Sequence, residues 1–80
     1  MHELGVLCEI VRTVERVTGQ NGIRRVKHIA LDVGTASGFV PEYLHKLFPV
    51  ASDGCPVLCG AQLQITDVPG TGLVIREIGY

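Results

Sequence analysis

The chain has 80 residues, with 7 Lys and Arg against 8 Asp and Glu, 3 His and a formal net charge of −1. A chain of that length forms one domain that buries roughly 60% of its unfolded surface, and a hydrophobic content of 46% excludes a disordered polymer. The balanced charge leaves no electrostatic footprint for nucleic acid or an anionic membrane, and charged residues interrupt every apolar run well short of a bilayer span.

The chain opens Met1-His2-Glu3. A histidine at position two stands next to a free α-amine. The amine nitrogen, the His2 backbone nitrogen and the imidazole can close two fused chelate rings around one metal ion. Nitrogen donors in a plane suit Ni(II) or Cu(II). The amine titrates near 8 and imidazole near 6.5 in unperturbed form, so both can release a proton to a metal at neutral pH. Binding should weaken below about pH 6. Glu3 offers a carboxylate or a backbone nitrogen, or it caps the helix that follows.

Leu4, Leu7, Ile10, Val11, Val14 and Val17 recur at steps of three and four. The spacing predicts an amphipathic helix over about Leu4–Val17, with Glu9, Arg12, Thr13, Glu15 and Arg16 turned away. Gly19 and Asn21-Gly22 stop it. Glu3 and Glu9 and the spaced apolar residues argue against a signal peptide.

Between Arg25 and Val33 the period changes to two. Ile29, Leu31 and Val33 form the inward face of a strand, and Val26, His28, Ala30 and Asp32 the other. Gly34, Ser37 and Gly38 end it. Pro41-Glu42 opens a second helix, since proline is pre-set for a first helical position and an early acid complements the dipole. Its inner stripe is Leu44, Leu47, Phe48 and Ala51. Pro49 should kink or end it.

Ser52 to Gly60 reads as loop. A second strand follows with Leu63 and Ile65 inward and Gln62, Gln64 and Thr66 outward. Pro69-Gly70-Thr71-Gly72 is a turn signal, and Leu73–Ile78 is a third strand. The short turn predicts an antiparallel hairpin of the last two strands. The crossover through helix two makes the first two strands parallel. The expected fold is therefore α+β, in the order α-β-α-β-β: a small mixed three-stranded sheet with two helices packed on one face.

Cys8, Cys55 and Cys59 are odd in number, which fits a reducing compartment and hence a cytoplasmic protein. Cys8 reads as a packing residue. Cys55 and Cys59 form C-x3-C. They are free thiols in a loop, a disulfide if the loop brings them close, or part of a metal site, though no second Cys or His pair supplies four zinc ligands. His28 and His45 read as surface histidines. Gly34-Thr35-Ala36-Ser37-Gly38 lacks the lysine and spacing of a P-loop. No nucleophile–base pair suggests an enzyme.

These stretches taken in order resemble the HypA/HybF family of nickel metallochaperones of NiFe-hydrogenase maturation. The likeness rests on Met1-His2-Glu3-Leu4, on Arg25-Val26 through Leu31-Asp32-Val33-Gly34, and on Ser37-Gly38 with Val40-Pro41-Glu42 and Leu44. It continues in Gly60-Ala61-Gln62-Leu63-Gln64-Ile65 through Val68-Pro69-Gly70 and in Leu73-Val74-Ile75-Arg76-Glu77-Ile78. The resemblance implies that His2 is the principal nickel ligand, completed by the Met1 amine and backbone nitrogens around His2 and Glu3. It implies Ni(II) as transient cargo delivered for hydrogenase or urease maturation, with metalloenzyme maturation proteins as partners.

The departures are equally specific. The family inserts a zinc domain with two C-x-x-C pairs between its last two strands. Here Gly70-Thr71-Gly72 joins them, so residues 1–80 read as one nickel-binding-type domain without zinc, the missing insertion falling near residues 69–73. Thr35 also stands where the family has an acid. The alternative reading is a zinc-less interaction module that has lost metal delivery and acts by protein–protein contact. Its sheet edge would add a strand from a partner or from a second copy to form a homodimer.

Overall fold

A computed structural model describes residues 2–80; Met1 lies outside the described residues. Its elements are α1 (Glu3–Gln20), β1 (His28–Gly34), α2 (Pro41–Ala51), a 3-10 turn (Pro56–Leu58), β2 (Gln62–Val68) and β3 (Leu73–Gly79). The three strands form one mixed sheet, and both helices cover its apolar face, as the alternation in β1 anticipates.

β1 occupies the centre of the sheet. Ile29, Leu31 and Val33 are almost completely buried, and each such side chain stabilises the fold by roughly 1.5–3 kcal/mol. They pack against Leu7, Ile10, Val11 and Val14 of α1 and against Leu44 and Phe48 of α2. The β-branched valines of α1 are mediocre helix formers, so this burial supplies what propensity does not.

The buried stripe of α1 differs from the expected one at both ends. Leu4 is 42% exposed, whereas Glu3 is buried; Thr18 takes the inner position expected of Val17. A stripe of period 3.6 through Leu7, Ile10, Val11 and Val14 meets residues 3 and 18 when extended by four at each end. Both polar side chains are satisfied there. Thr18 Oγ1 donates to the Val14 carbonyl at 2.8 Å, and Glu3 accepts from the Val40 N–H at 2.9 Å. Gly22, with φ of 67°, then turns the chain, and the Ile23 N–H closes the helix on the Thr18 carbonyl at 2.9 Å, a Schellman cap.

Val26 was expected beside His28 on the polar face and is buried instead. It precedes the strand rather than belonging to it, and its N–H donates to the Val57 carbonyl at 2.9 Å. Pro49 lies in the last turn of α2, which ends two residues later at Ala51. A proline there removes the hydrogen bond that a residue 49 N–H would give the His45 carbonyl, and only the end of the last turn lies beyond it.

The expected hairpin does not form. The strand order is β2-β1-β3, so β2 and β3 flank β1 and do not pair with each other. β2 runs parallel to β1 and β3 antiparallel to it. The most apolar strand takes the centre, where both its edges are paired. The turn 69–72 therefore arches across the end of β1 instead of doubling back beside it. Gly34 makes this arch fit: a Cβ there would lie 2.7 Å from the Gly70 carbonyl carbon and 2.9 Å from the Gly72 carbonyl oxygen. The arch is fastened by Gly34 N–H to Gly72 O at 2.7 Å, Thr35 N–H to Val68 O at 2.8 Å and Ala36 N–H to Gly70 O at 2.9 Å.

Between Ala30 and Leu31 the β1–β3 register shifts, which leaves Arg76 as the extra residue of a bulge. The bulge explains the inward spacing Leu73, Ile75, Ile78. It also places the charged groups of Arg76 and Glu77 together on the face away from the helices. There Arg76 Nε donates to Asp32 Oδ1 at 3.0 Å, and Glu77 Oε2 lies 3.0 Å from His28 Nε2.

Candidate metal centre at the amino terminus

His2 is the N-cap residue of α1, and its side chain makes no capping hydrogen bond. The residue is exposed. Its carbonyl accepts the first helical hydrogen bond, from the Val6 N–H at 3.1 Å. At a helix start the first backbone N–H groups have no intrahelical acceptor. The His2 nitrogen, which precedes the first helical residue, could therefore turn to a metal without opening the helix.

Glu3 follows in the first turn with a different job. Its carboxylate accepts from the Val40 N–H, and Val40 is the N-cap of α2. One side chain thus ties the starts of both helices, where the positive ends of two helix dipoles favour an anion. The Glu3 carboxyl is pulled down to about 2, most by the chain's own α-amino group and next by the Val40 N–H. Of the expected ligand set, His2 is presented outward, the Glu3 carboxylate is engaged in holding the fold, and Met1 lies outside the described residues. The sequence pattern missed the Glu3–Val40 link. The signal for it was the acid at the first inward helical position.

The other metal-capable residues are dispersed. His28 pairs with Glu77 on the open face of the sheet, and His45 is exposed on α2. The three cysteines are free. Cys55 and Cys59 flank the 3-10 turn, the first buried and the second exposed. The Cys55 thiol donates to Glu15 Oε2 at 3.1 Å. Burial, followed by the adjacent Glu15 carboxylate, raises its pKa, which keeps it a thiol. Among the described residues no group of three or more His, Cys, Asp or Glu could hold a metal ion, and no helix is long and apolar enough to cross a membrane.

Comparison with known proteins agrees with the fold. The chain is 36% identical over 72 residues to a hydrogenase maturation factor HypA of Deinococcus radiodurans, an alignment covering 90% of this chain and 59% of that protein. It is 35% identical over all 80 residues to the HypA of Methanosarcina mazei, 56% of whose length is covered. The chain thus spans less than two thirds of the length of these relatives. In structure it is similar to the Ni metallochaperone HypA from Helicobacter pylori, with a TM-score of 0.78 and 17% identity over 96% of this chain and 72% of that one. The family model described as "Hydrogenase/urease nickel incorporation, metallochaperone, hypA" matches residues 1–73. The chain belongs to the HypA family.

Proposed function

We propose that the protein is a nickel carrier that holds Ni(II) at its amino terminus and passes it to a maturation partner by ligand exchange. The observation that carries this reading is the division of labour at the helix start: Glu3 fixes the terminus to α2, and His2 is left exposed as a donor with no capping role. The ligands are the Met1 amine, the His2 imidazole and backbone nitrogens at His2 and Glu3. An all-nitrogen set of this kind suits square-planar Ni(II). A site at a chain end also lets an acceptor replace ligands one at a time. Hydrogenase maturation is the favoured destination because relatives bear that name, and urease maturation is the alternative in the family description.

Zinc does not fit this chain. Its thiols are Cys8, Cys55 and Cys59 only, and Cys55 is engaged as a protonated donor to Glu15. Four-thiolate coordination has no residues to draw on. Residues 69–73, where the resemblance would put the family's zinc domain, form the arch in this sequence.

A second reading is favoured by the sheet: β2 and β3 each pair with β1 on one side only. Their outer edges are suited to strand addition by a partner or a second copy. Calorimetric titration of Ni(II) into chains carrying a free amino terminus separates the two. Nickel carriage predicts that His2→Ala weakens binding at least about tenfold, which is 1.4 kcal/mol or more. Equal affinity for both chains would leave the interaction reading.

A further inference from the structure

The pole of the molecule opposite the two helix starts carries a cleft of about 470 Å³ between the segment leading into β1 and the first half of β2. Its polar lining is Arg25, Lys27, His28, Cys59, Gln62 and Gln64. Apart from His28, whose Nε2 is engaged by Glu77, each of these side chains has a donor to offer, and no carboxylate is among the lining residues.

The charge there is not cancelled. The ion pairs among the described residues are His28–Glu77 and Arg76–Asp32. His28 thus faces Glu77, while Arg25 and Lys27 stand without an acidic partner. Two of the chain's 7 basic side chains of the Lys and Arg type are therefore focused on one concavity in a molecule whose net charge is −1. Concave low-dielectric walls strengthen such a field beyond what the same charges produce on a convex surface.

The walls are fixed before any ligand arrives. The Val26 N–H donates to Val57 O at 2.9 Å, the Lys27 N–H to Gly79 O at 2.7 Å, and the Gln62 N–H to Lys27 O at 3.0 Å. The last of these joins the two sides directly, and the first two anchor the residue 26–27 side to residue 57 and to β3. A preformed site loses less on binding than one that must be ordered.

We propose that this cleft binds phosphate groups, and that its ligand is a small molecule carrying several of them. The planar Arg25 guanidinium can grip a phosphate through two parallel hydrogen bonds, and the Lys27 ammonium adds a point charge beside it. The Gln62 and Gln64 amides supply neutral donors along β2, enough for a second phosphate. The volume falls within the range of small-ligand sites. The site is separate from the terminal metal motif, since none of its lining residues belongs to α1 or to the start of α2.

The test follows backbone amide resonances while inorganic phosphate or tripolyphosphate is added to the whole chain at constant ionic strength. Saturating shifts confined to residues 25–28 and 59–64 are expected. Tripolyphosphate should bind at least about tenfold more tightly than phosphate, and Arg25→Gln with Lys27→Gln should lose that tenfold or more. Both replaced side chains are exposed, so the double variant should melt with the parent. Unsaturating shifts spread over Arg12, Arg16 and Arg24, or an unchanged response in the double variant, would overturn the site. Tighter binding of hexaglutamate with the same footprint would overturn it in favour of an acidic protein segment.

Discussion

Replacement of Gly34 by alanine tests the arch that joins β2 to β3. The new Cβ would lie 2.7 Å from the Gly70 carbonyl carbon and 2.9 Å from the Gly72 carbonyl oxygen, with the Gly70 oxygen closer still. Carbon atoms at rest stand about 3.5–4.0 Å apart, so the arch must retreat by about 0.8 Å or more. All these obstacles are backbone, and no side-chain rotation relieves them. The retreat also stretches the three hydrogen bonds from Gly34, Thr35 and Ala36 that fasten the arch. Overpacking of this kind costs about 1–3 kcal/mol. Strained hydrogen bonds add about 0.5–1.5 kcal/mol for each one lost, and stiffening of the unfolded chain returns about 0.4–1 kcal/mol. The net expectation is about 2–3 kcal/mol, against a total of roughly 4–12 kcal/mol for a domain of this size. Urea unfolding followed by circular dichroism reads it directly, and the melting temperature should fall by roughly 10–20 °C. Gly19→Ala is the control. It lies within α1 with nothing inside 4 Å of its Cβ position, and it should stabilise the chain by up to about 1 kcal/mol. A Gly34→Ala midpoint equal to the parent's, with an unchanged slope, would refute the close approach of arch and strand.

Other outcomes follow from the same contacts. Glu3 has a carboxyl lowered from 4.5 to about 2 in the folded state, so its contribution is present above the ordinary carboxylate pKa and lost as pH falls through about 2. Glu3→Gln should flatten the loss of stability across that window, and parallel acid melts of parent and variant check it. Cys59 is exposed, Cys8 is half-buried and Cys55 is a buried thiol with a raised pKa; titration of the three thiols with an aromatic disulfide at neutral pH should give a fastest phase that Cys59→Ser removes and a slowest phase that Cys55→Ser removes, with Cys8 reacting between them. Arg76 is half exposed in its pair with Asp32, so Arg76→Ala should cost at most about 1 kcal/mol in urea unfolding.

Local sequence patterns revealed the elements more readily than their arrangement. The period-two run through Ile29, Leu31 and Val33 and the three-and-four spacing through Leu7, Ile10, Val11 and Val14 identify a strand and a helix because burial acts on every inward residue. Pairing was less legible. Pro69 to Gly72 signals a turn, but the same four residues serve a hairpin or an arch over a central strand. The decision lies in which strand is apolar enough to be paired on both edges, and in Gly34 having no side chain under the arch. The misplacement of Leu4 has a related origin. Hydropathy put the leucine inside, whereas helix phase and the Val40 N–H at the start of α2 put Glu3 there. That link joins residues 37 positions apart, and nothing in the local pattern specifies it. At the terminus, the chelating potential of Met1 and His2 was readable from atom order, since it needs adjacency and no tertiary structure. The donor-lined cleft was not readable, because Arg25, Lys27, Gln62 and Gln64 meet only when β1 and β2 lie side by side.

The proposed nickel site depends on the free α-amine together with His2. It is tested most directly by comparing the chain with a free amino terminus against the same chain acetylated at Met1, each titrated with Ni(II) at pH 7.5 and followed by absorbance and heat. Acetylation leaves every side chain in place and removes one donor. Ligation by the amine gives one equivalent bound by the free chain, with the d–d band of square-planar Ni(II), and loss of that band with at least about a hundredfold weaker binding in the acetylated chain. Equal affinity and the same spectrum in both would contradict it.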